Sequence, residues 1–158
     1  MIQVLFVCLG NICRSPMAEA VFRHKVKQAD LDGIIAVDSA GTGDWHTGEK
    51  PHQGTRRILD QYGIDHQGLR ARQLKSQDFE PFTYIIAMDD SNVRNLQSFA
   101  PAMDKRHAEV RNLLAFAPGR SVQDVPDPYY TGNFEEVYEM VEESCTRLLA
   151  YIREVNGL

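Results

Sequence analysis

The sequence predicts a doubly wound α/β fold: a single domain over residues 1–158, with an open, four-stranded parallel sheet flanked by helices and a phosphate-binding loop after the first strand. Three observations carry that expectation. Short apolar runs alternate along the chain with segments whose apolar residues recur at helical spacing, as in successive βαβ units. The runs are almost continuously apolar, as strands covered on both faces are. The first run ends in a polar turn that leads straight into a helical pattern, and such sheets bind ligands beyond the carboxyl ends of their strands.

Ile2 to Val7 is the first strand. From Ser15 onward, Ala18, Val21, Phe22, Val26 and Ala29 trace a helix face, Asp32-Gly33 breaks the pattern, and Ile34 to Val37 form the second strand. A strand–helix–strand unit of this kind crosses over right-handed. Asp38 to Pro51 reads as a polar loop holding Ser39-Ala40-Gly41-Thr42-Gly43 and the sole tryptophan, Trp45. A second helix is expected from about His52 to Tyr62, stopped by Gly63. Gly63 to Gln73 is irregular, and a short helical turn fits within Ser76 to Phe82. Thr83 to Met88 is the third strand. Asp89 or Asp90 caps a helix that carries Val93, Leu96 and Phe99 inward and ends before Pro101. The fourth strand is placed at Val110 to Phe116, followed by a loop, Asp124 to Tyr130, stiffened by Pro126 and Pro128. The last helix is marked by Phe134, Val137, Tyr138, Val141, Cys145, Leu148, Leu149 and Ile152. Glu135, Glu136 and Glu139 near its start and Arg147 and Arg153 near its end suit the helix dipole.

Composition narrows the function. At 158 residues and 43% hydrophobic content the chain can bury one full core. A net charge of −5 argues against nucleic acid or an anionic membrane as partner. No run is long enough to span a membrane, and Met1-Ile2-Gln3-Val4 begins a strand rather than a signal segment. The three cysteines, Cys8, Cys13 and Cys145, are odd in number and lack zinc-type spacing. A reduced, cytoplasmic protein without a metal or cofactor is expected.

The chemistry concentrates in Val7-Cys8-Leu9-Gly10-Asn11-Ile12-Cys13-Arg14-Ser15-Pro16. Successive backbone N–H groups between a strand and a helix can form an anion-binding nest, and the helix adds its positive end. Gly10 allows a left-handed turn, and Asn11 is among the few other residues that tolerate one. Pro16 fits the first helical turn. Arg14 offers a planar fork for two phosphate oxygens. A thiol within such a positive bowl ionises readily, and the Cys8 thiolate would lie beneath a bound phosphate, placed to attack phosphorus. Ser15, next to that thiolate, can donate a hydrogen bond to it or cap the helix.

A thiolate expels an alkoxide or phenoxide quickly only if an acid protonates it on leaving. Among 22 acidic residues, Asp127 stands out because two prolines fix its backbone and Tyr129 and Tyr130 follow. On the residues alone, an ordinary proline turn is an equal reading.

The loop from Val7 to Pro16 resembles the signature loop of the low-molecular-weight protein tyrosine phosphatases, and the resemblance extends over essentially the whole chain. It implies the same fold. It also implies hydrolysis of phosphotyrosyl proteins and aryl phosphates through a phosphocysteine on Cys8. Arg14 and the amides of Leu9, Gly10, Asn11, Ile12 and Cys13 would bind the phosphate. Asp127-Pro128-Tyr129-Tyr130 matches the family's general-acid loop, with Asp124 as the alternative acid. Trp45, Tyr129 and Tyr130 would wall the pocket and favour a phenol over a serine. The resemblance further implies that Asn11 is held by hydroxyls, with Ser39 in that task, and that Cys13 pairs with Cys8. For Cys13 the competing reading is a small packing residue. Many members have a histidine where this chain has Leu69, so any hydrogen bond from it to Asn11 is missing or replaced.

The expected partner is a phosphotyrosyl protein, a tyrosine kinase among the candidates, with phosphate and other oxyanions as inhibitors and the chain a monomer or weak dimer. Arsenate reduction, performed by some relatives with this loop, needs further cysteines, and there is none from Ser76 to Ala100. A silent phosphotyrosine binder would need neither Cys8 nor a proline-framed acid. Of the histidines, only His46, beside Trp45, is a candidate for the site; the others read as surface residues.

Overall fold

The computed structural model describes residues 1–99, 101–104, 107–120 and 122–158. Four parallel strands, β1 (Ile2–Cys8), β2 (Ile35–Gly41), β3 (Tyr84–Ala87) and β4 (Glu109–Asn112), lie in the order β2-β1-β3-β4. The chain thus steps from β1 to one side for β2, then to the other side for β3. The switch point falls between the carboxyl ends of β1 and β3.

Alternation along β1 sends its side chains to two cores. Val4, Phe6 and Cys8 join Tyr84, Ile86 and Met88 beneath α1 (Arg14–Gln28) and α5 (Phe134–Asn156). Leu5 and Val7 join Ile85, Phe79, Phe82 and Leu96 on the opposite face. The expected stripe of α5 is buried from Val137 to Ile152, with Phe134 half-buried at its start. Burying one such side chain is worth about 1.5–3 kcal/mol. Helices on both faces give the doubly wound architecture expected from the sequence.

Several boundaries differ from expectation, each for a physical reason. β2 continues through Ser39, Ala40 and Gly41, because Phe6, Val7 and Cys8 provide pairing partners for them. The fourth strand ends at Asn112, and Leu113–Phe116 form a 3₁₀ turn. Leu113, Leu114 and Phe116 all enter the α5-side core, whereas adjacent residues of a strand point to opposite faces. Asp89, not Asp90, caps α3 (Asp90–Leu96), its side chain accepting from the Asn92 amide at 2.7 Å. Of the three expected residues only Leu96 is fully buried; Val93 on α3 and Phe99, in the 3₁₀ turn Gln97–Phe99 that follows it, are half-buried, and Asn92 takes an inward place. His52 caps α2 (Gln53–Gln61), and Gly63 ends it at φ +68°. A short helix, α4 (Pro128–Thr131), replaces the end of the expected proline loop, with Asp127 as its cap and Pro128 in its first turn. Ser76–Phe79 is the expected helical turn, in 3₁₀ form.

Candidate active site

β1 delivers Cys8 at its last residue, and the chain then curls over the switch point before entering α1 at Arg14. The curl depends on one left-handed residue, Asn11, at φ +57°. Gly10, expected to supply that conformation, does not adopt it. Its smallness instead makes room for His46, whose ring a Cβ there would meet at 3.2 Å and have to displace by a few tenths of an ångström. Gly41 serves the same loop from β2: a Cβ would lie 2.8 Å from the Leu9 carbonyl oxygen.

The loop carbonyls are turned into the protein. Cys8 O accepts from Thr42 N, Leu9 O from Gly43 N, Ile12 O from His52 N, and Cys13 O from Met17 N and Thr55 Oγ1, at 2.7–3.3 Å. The amides of Gly10, Ile12 and Cys13 have no protein acceptor among the described residues, while that of Asn11 donates to Cys8 Sγ at 3.3 Å. Carbonyls held away and amides left free are what an anion-binding nest requires.

Beneath the loop, Asn11, Ser15 and Ser39 are buried. The Arg72 amide donates to Asn11 Oδ1 at 3.0 Å, which fixes the orientation of the side-chain amide. Its Nδ2 then donates to Ser15 Oγ at 2.7 Å and to Ser39 Oγ at 2.9 Å. Ser15 Oγ lies 2.9 Å from Cys8 Sγ, within hydrogen-bond distance, and can donate its proton to a thiolate there. Ser39 Oγ in turn donates a hydrogen bond to Glu19 Oε1 at 2.6 Å. Ser15 lies in the first turn of α1 and is not its cap, a position held by Cys13 without a side-chain bond. Neither Asn11 nor Ser15 reaches the cavity through its side chain, so they hold the loop rather than substrate. Both polar atoms of the Asn11 side chain are satisfied. The backbone of Arg72 takes the place of a histidine partner, and Leu69 lies buried in the α5-side core.

Arg14 is 3% exposed and held from behind. Its Nη1 donates to Asp89 Oδ2 at 2.6 Å and to Val125 O at 3.0 Å, and its Nη2 lies 3.6 Å from Asp127 Oδ2. Burial disfavours the guanidinium charge, but Cys8, Asp89 and Asp127 outweigh it and push the Arg14 pKa up, so this group stays cationic. Asp127 is positioned by the chain around it. Val125 N bonds Met88 O at 2.9 Å, at the end of β3, and Asp127 Oδ1 accepts from Tyr129 N at 3.1 Å. Asp124, the alternative acid, instead accepts from Asp90 N at 3.0 Å and does not line the cavity.

The cavity over Cys8 measures about 380 Å³ and is lined by Leu9, Gly10, Ile12, Cys13, Arg14, Trp45, Asp127, Tyr129 and Tyr130, together with His46. Every expected site residue outside the buried trio therefore reaches it. The aromatic walls are open to solvent: Trp45, Tyr129 and Tyr130 are 68%, 53% and 77% exposed. Cys13 is buried beside Cys8. Burial first, then the negative charges of Cys8 and Asp127, raise its thiol to about 12 against a lowering by Arg14.

The family model described as low molecular weight phosphotyrosine protein phosphatase matches residues 3–156. The chain belongs to that family. It is 51% identical to the low molecular weight protein-tyrosine-phosphatase YfkJ of Bacillus subtilis, over 100% of both chains. The YfkJ crystal structure superposes with a TM-score of 0.93, covering 98% of this chain and 96% of that one. PtpA of Staphylococcus haemolyticus, also named a low molecular weight protein-tyrosine-phosphatase, is 48% identical over 96% of this chain and 94% of its own. The Drosophila arginine phosphatase DARP is 35% identical with a TM-score of 0.89, covering 96% and 98%. This chain is thus an enzyme of the phosphatase family.

Sequence reasoning missed several supporting residues. Asp89 sits at the carboxyl end of β3, and the switch-point argument that singled out Cys8 applies equally to it. Glu19 is one helical turn past Ser15, a carboxylate inside an apolar stripe. Gly41 and the Arg72 amide left no signal, since their role depends on how closely β2 and the 69–73 segment approach the loop. His52, read as a surface residue, is half-buried, stacks on Phe134 with centroids 5.1 Å apart and meets the Tyr129 ring edge-on at 5.9 Å.

Proposed function

We propose that the protein hydrolyses phosphotyrosyl polypeptides in two steps through a phosphocysteine. The observation that carries this reading is the convergence in one cavity of the Cys8 sulfur, the unpartnered loop amides, the Arg14 fork and the Asp127 carboxyl. The phosphoryl oxygens bind the amides and Arg14, which neutralise charge as the transition state develops. Cys8 Sγ, supported by the Ser15 hydroxyl and the Asn11 amide, attacks phosphorus opposite the departing phenolic oxygen. Asp127 gives that oxygen its proton. The resulting carboxylate then takes a proton from water as it attacks the phosphocysteine, releasing phosphate and restoring the thiolate. Inorganic phosphate and other tetrahedral oxyanions occupy the same cradle as competitive inhibitors.

Leu9, Ile12, Trp45 and Tyr129 give the cavity apolar and aromatic walls, which suit a phenyl ring and leave a short seryl phosphate without contacts. The test is turnover of p-nitrophenyl phosphate and of matched phosphotyrosyl, phosphoseryl and phosphoarginyl peptides. Cys8→Ser should abolish turnover with the fold intact. Asp127→Asn should lower kcat on the peptide by about 10²–10⁴. Full activity in Cys8→Ser refutes the phosphocysteine, and preference for phosphoarginine refutes the choice of substrate.

A further inference from the structure

The loop that walls the active-site cavity also walls a second cleft. His46 faces the first; four residues later Lys50 and Pro51 face the second, a cavity of about 240 Å³ completed by Arg56, His66 and Arg70. In a chain of net charge −5 this is a local reversal of sign.

The reversal is not cancelled from within. Arg14, Arg23, Lys25, Arg72, Arg111 and Arg120 each have a carboxylate partner, but among the described residues no ion pair reaches Lys50, Arg56 or Arg70. Arg56 Nε donates to Pro51 O and Arg70 Nη1 to Leu69 O, both at 2.9 Å, so each guanidinium is anchored through one nitrogen and keeps the others free. The nearby acids bond groups other than these three cations, Glu49 on the active-site side and Asp60 and Asp65 at the cleft's own His66 and Gln67. Glu49 Oε2 lies 2.7 Å from His46 Nδ1, on the active-site side. Asp60 holds His66 at 2.8 Å, and Asp65 accepts from the Gln67 amide at 3.0 Å.

Both walls of the cleft are tied to the phosphate loop. His52, next to Pro51, donates its amide to Ile12 O at 2.7 Å, and Arg72, two residues past Arg70, donates its amide to Asn11 Oδ1 at 3.0 Å. The walls are tied to each other by Ala71 N to Glu49 O and Gly48 N to Ala71 O, both 2.8 Å. Pro51 is one residue from His52 and Arg70 two from Arg72, so at about 3.3–3.6 Å per residue the cleft's backbone lies within roughly 7 Å of the residues anchored to the loop, or about two residues of extended peptide.

We propose that this cleft docks acidic side chains of the polypeptide substrate, a few residues from the phosphotyrosine held over Cys8. The inference rests on the phosphatase reading above. The size of the cleft fits one or two carboxylates, and the acidic remainder of the surface repels longer polyanions. An exposed ion pair is worth at most about five-fold in affinity, so three cations acting together should give roughly ten-fold, screened by salt.

The experiment compares kcat/KM at low ionic strength for p-nitrophenyl phosphate and two phosphotyrosyl peptides. One peptide carries Glu on both flanks of the phosphotyrosine, and the other carries Gln at the same positions. Wild type should favour the Glu peptide by roughly ten-fold, and 0.5 M salt should erase the difference. In Lys50→Ala/Arg56→Ala/Arg70→Ala the preference should vanish while p-nitrophenyl phosphate turnover stays within about two-fold of wild type. Arg56→Gln/Arg70→Gln, which keeps the side-chain stems, should lose most of it and serves if the triple variant does not fold. Equal turnover of both peptides by wild type overturns the proposal, as does an undiminished preference in the variants. A wild type that leaves p-nitrophenyl phosphate intact overturns the phosphatase reading, and this inference with it.

Discussion

Asn11 holds the phosphate loop in two ways, through its left-handed backbone and through its side-chain amide, and paired substitutions to Ala and Gly separate them. Both remove three hydrogen bonds: the two donated to Ser15 and Ser39 and the one accepted from the Arg72 amide. The two hydroxyls keep other partners, Cys8 and Glu19, so each lost bond costs about 0.5–1.5 kcal/mol. The Arg72 N–H is left without an acceptor, which costs about 1–3 kcal/mol. The common loss is therefore about 2–6 kcal/mol. Ala also places a Cβ at φ +57°, a strain of about 1–2 kcal/mol that Gly avoids. Gly gives back about 0.5–1 kcal/mol through the extra freedom of its unfolded chain. Asn11→Gly should thus be the more stable variant by about 0.75 kcal/mol at the midpoints of these ranges, and by about 1.5 kcal/mol at most, measured by equilibrium urea unfolding. Both should lose roughly 10- to 100-fold in kcat/KM, since the Asn11 amide and Ser15 no longer sit in fixed positions around the sulfur. Equal stability of the two variants would refute the backbone argument. A loss below about 1 kcal/mol in both would refute the network.

Glu19 supplies a pH prediction. Burial pushes its carboxyl above the ordinary value of 4.5, against the lowering by Ser39 and Arg23. The folded state then holds this proton more tightly than the unfolded chain. Its contribution to stability is full below the unfolded value and is lost as pH rises through the raised folded value. Glu19→Gln, which cannot titrate, should therefore gain stability relative to wild type from pH 4 to neutrality; a constant difference across that range in urea unfolding would contradict the assignment. Cys13 supplies a redox prediction. Its thiol, held near 12 partly by the charge on Cys8, loses that contribution once peroxide converts Cys8 to the neutral sulfenic acid. Burial still holds the proton on Cys13, so the sulfur attacks the Cys8 sulfenic acid as the thiol gives that proton up, forming the disulfide and releasing water. Wild type should regain activity with thiol reductant after peroxide, Cys13→Ser should regain little, and equal recovery would make Cys13 a packing residue.

The parts of this protein legible in its sequence are those governed by local periodicity or by a rigid local constraint. Apolar runs gave the strands, the stripe from Val137 to Ile152 gave α5, and Pro126 and Pro128 drew attention to Asp127. The apparatus beneath the loop was legible only in part because it joins polar groups of one segment, Asn11, Ser15 and Glu19, to groups far along the chain, Ser39 and the Arg72 amide. The apolar pattern marks none of them, and each is allowed inside only because the others satisfy it. Resemblance identified Ser39 and the serine–asparagine contact, but not Glu19 below them or the Arg72 amide that orients Asn11. The same reasoning explains Gly10. Sequence alone offers conformational freedom as the reason for a glycine, yet the left-handed residue is its neighbour, and what Gly10 faces closely is the His46 ring. Asp89 is the converse case. Its capping role is visible locally, but its bond to Arg14 depends on β3 lying beside β1, a consequence of strand order. The switch point therefore does more than locate the cavity. It sets the end of β3 behind the first turn of α1, so that a helix-capping carboxylate also fixes the arginine over the nucleophile.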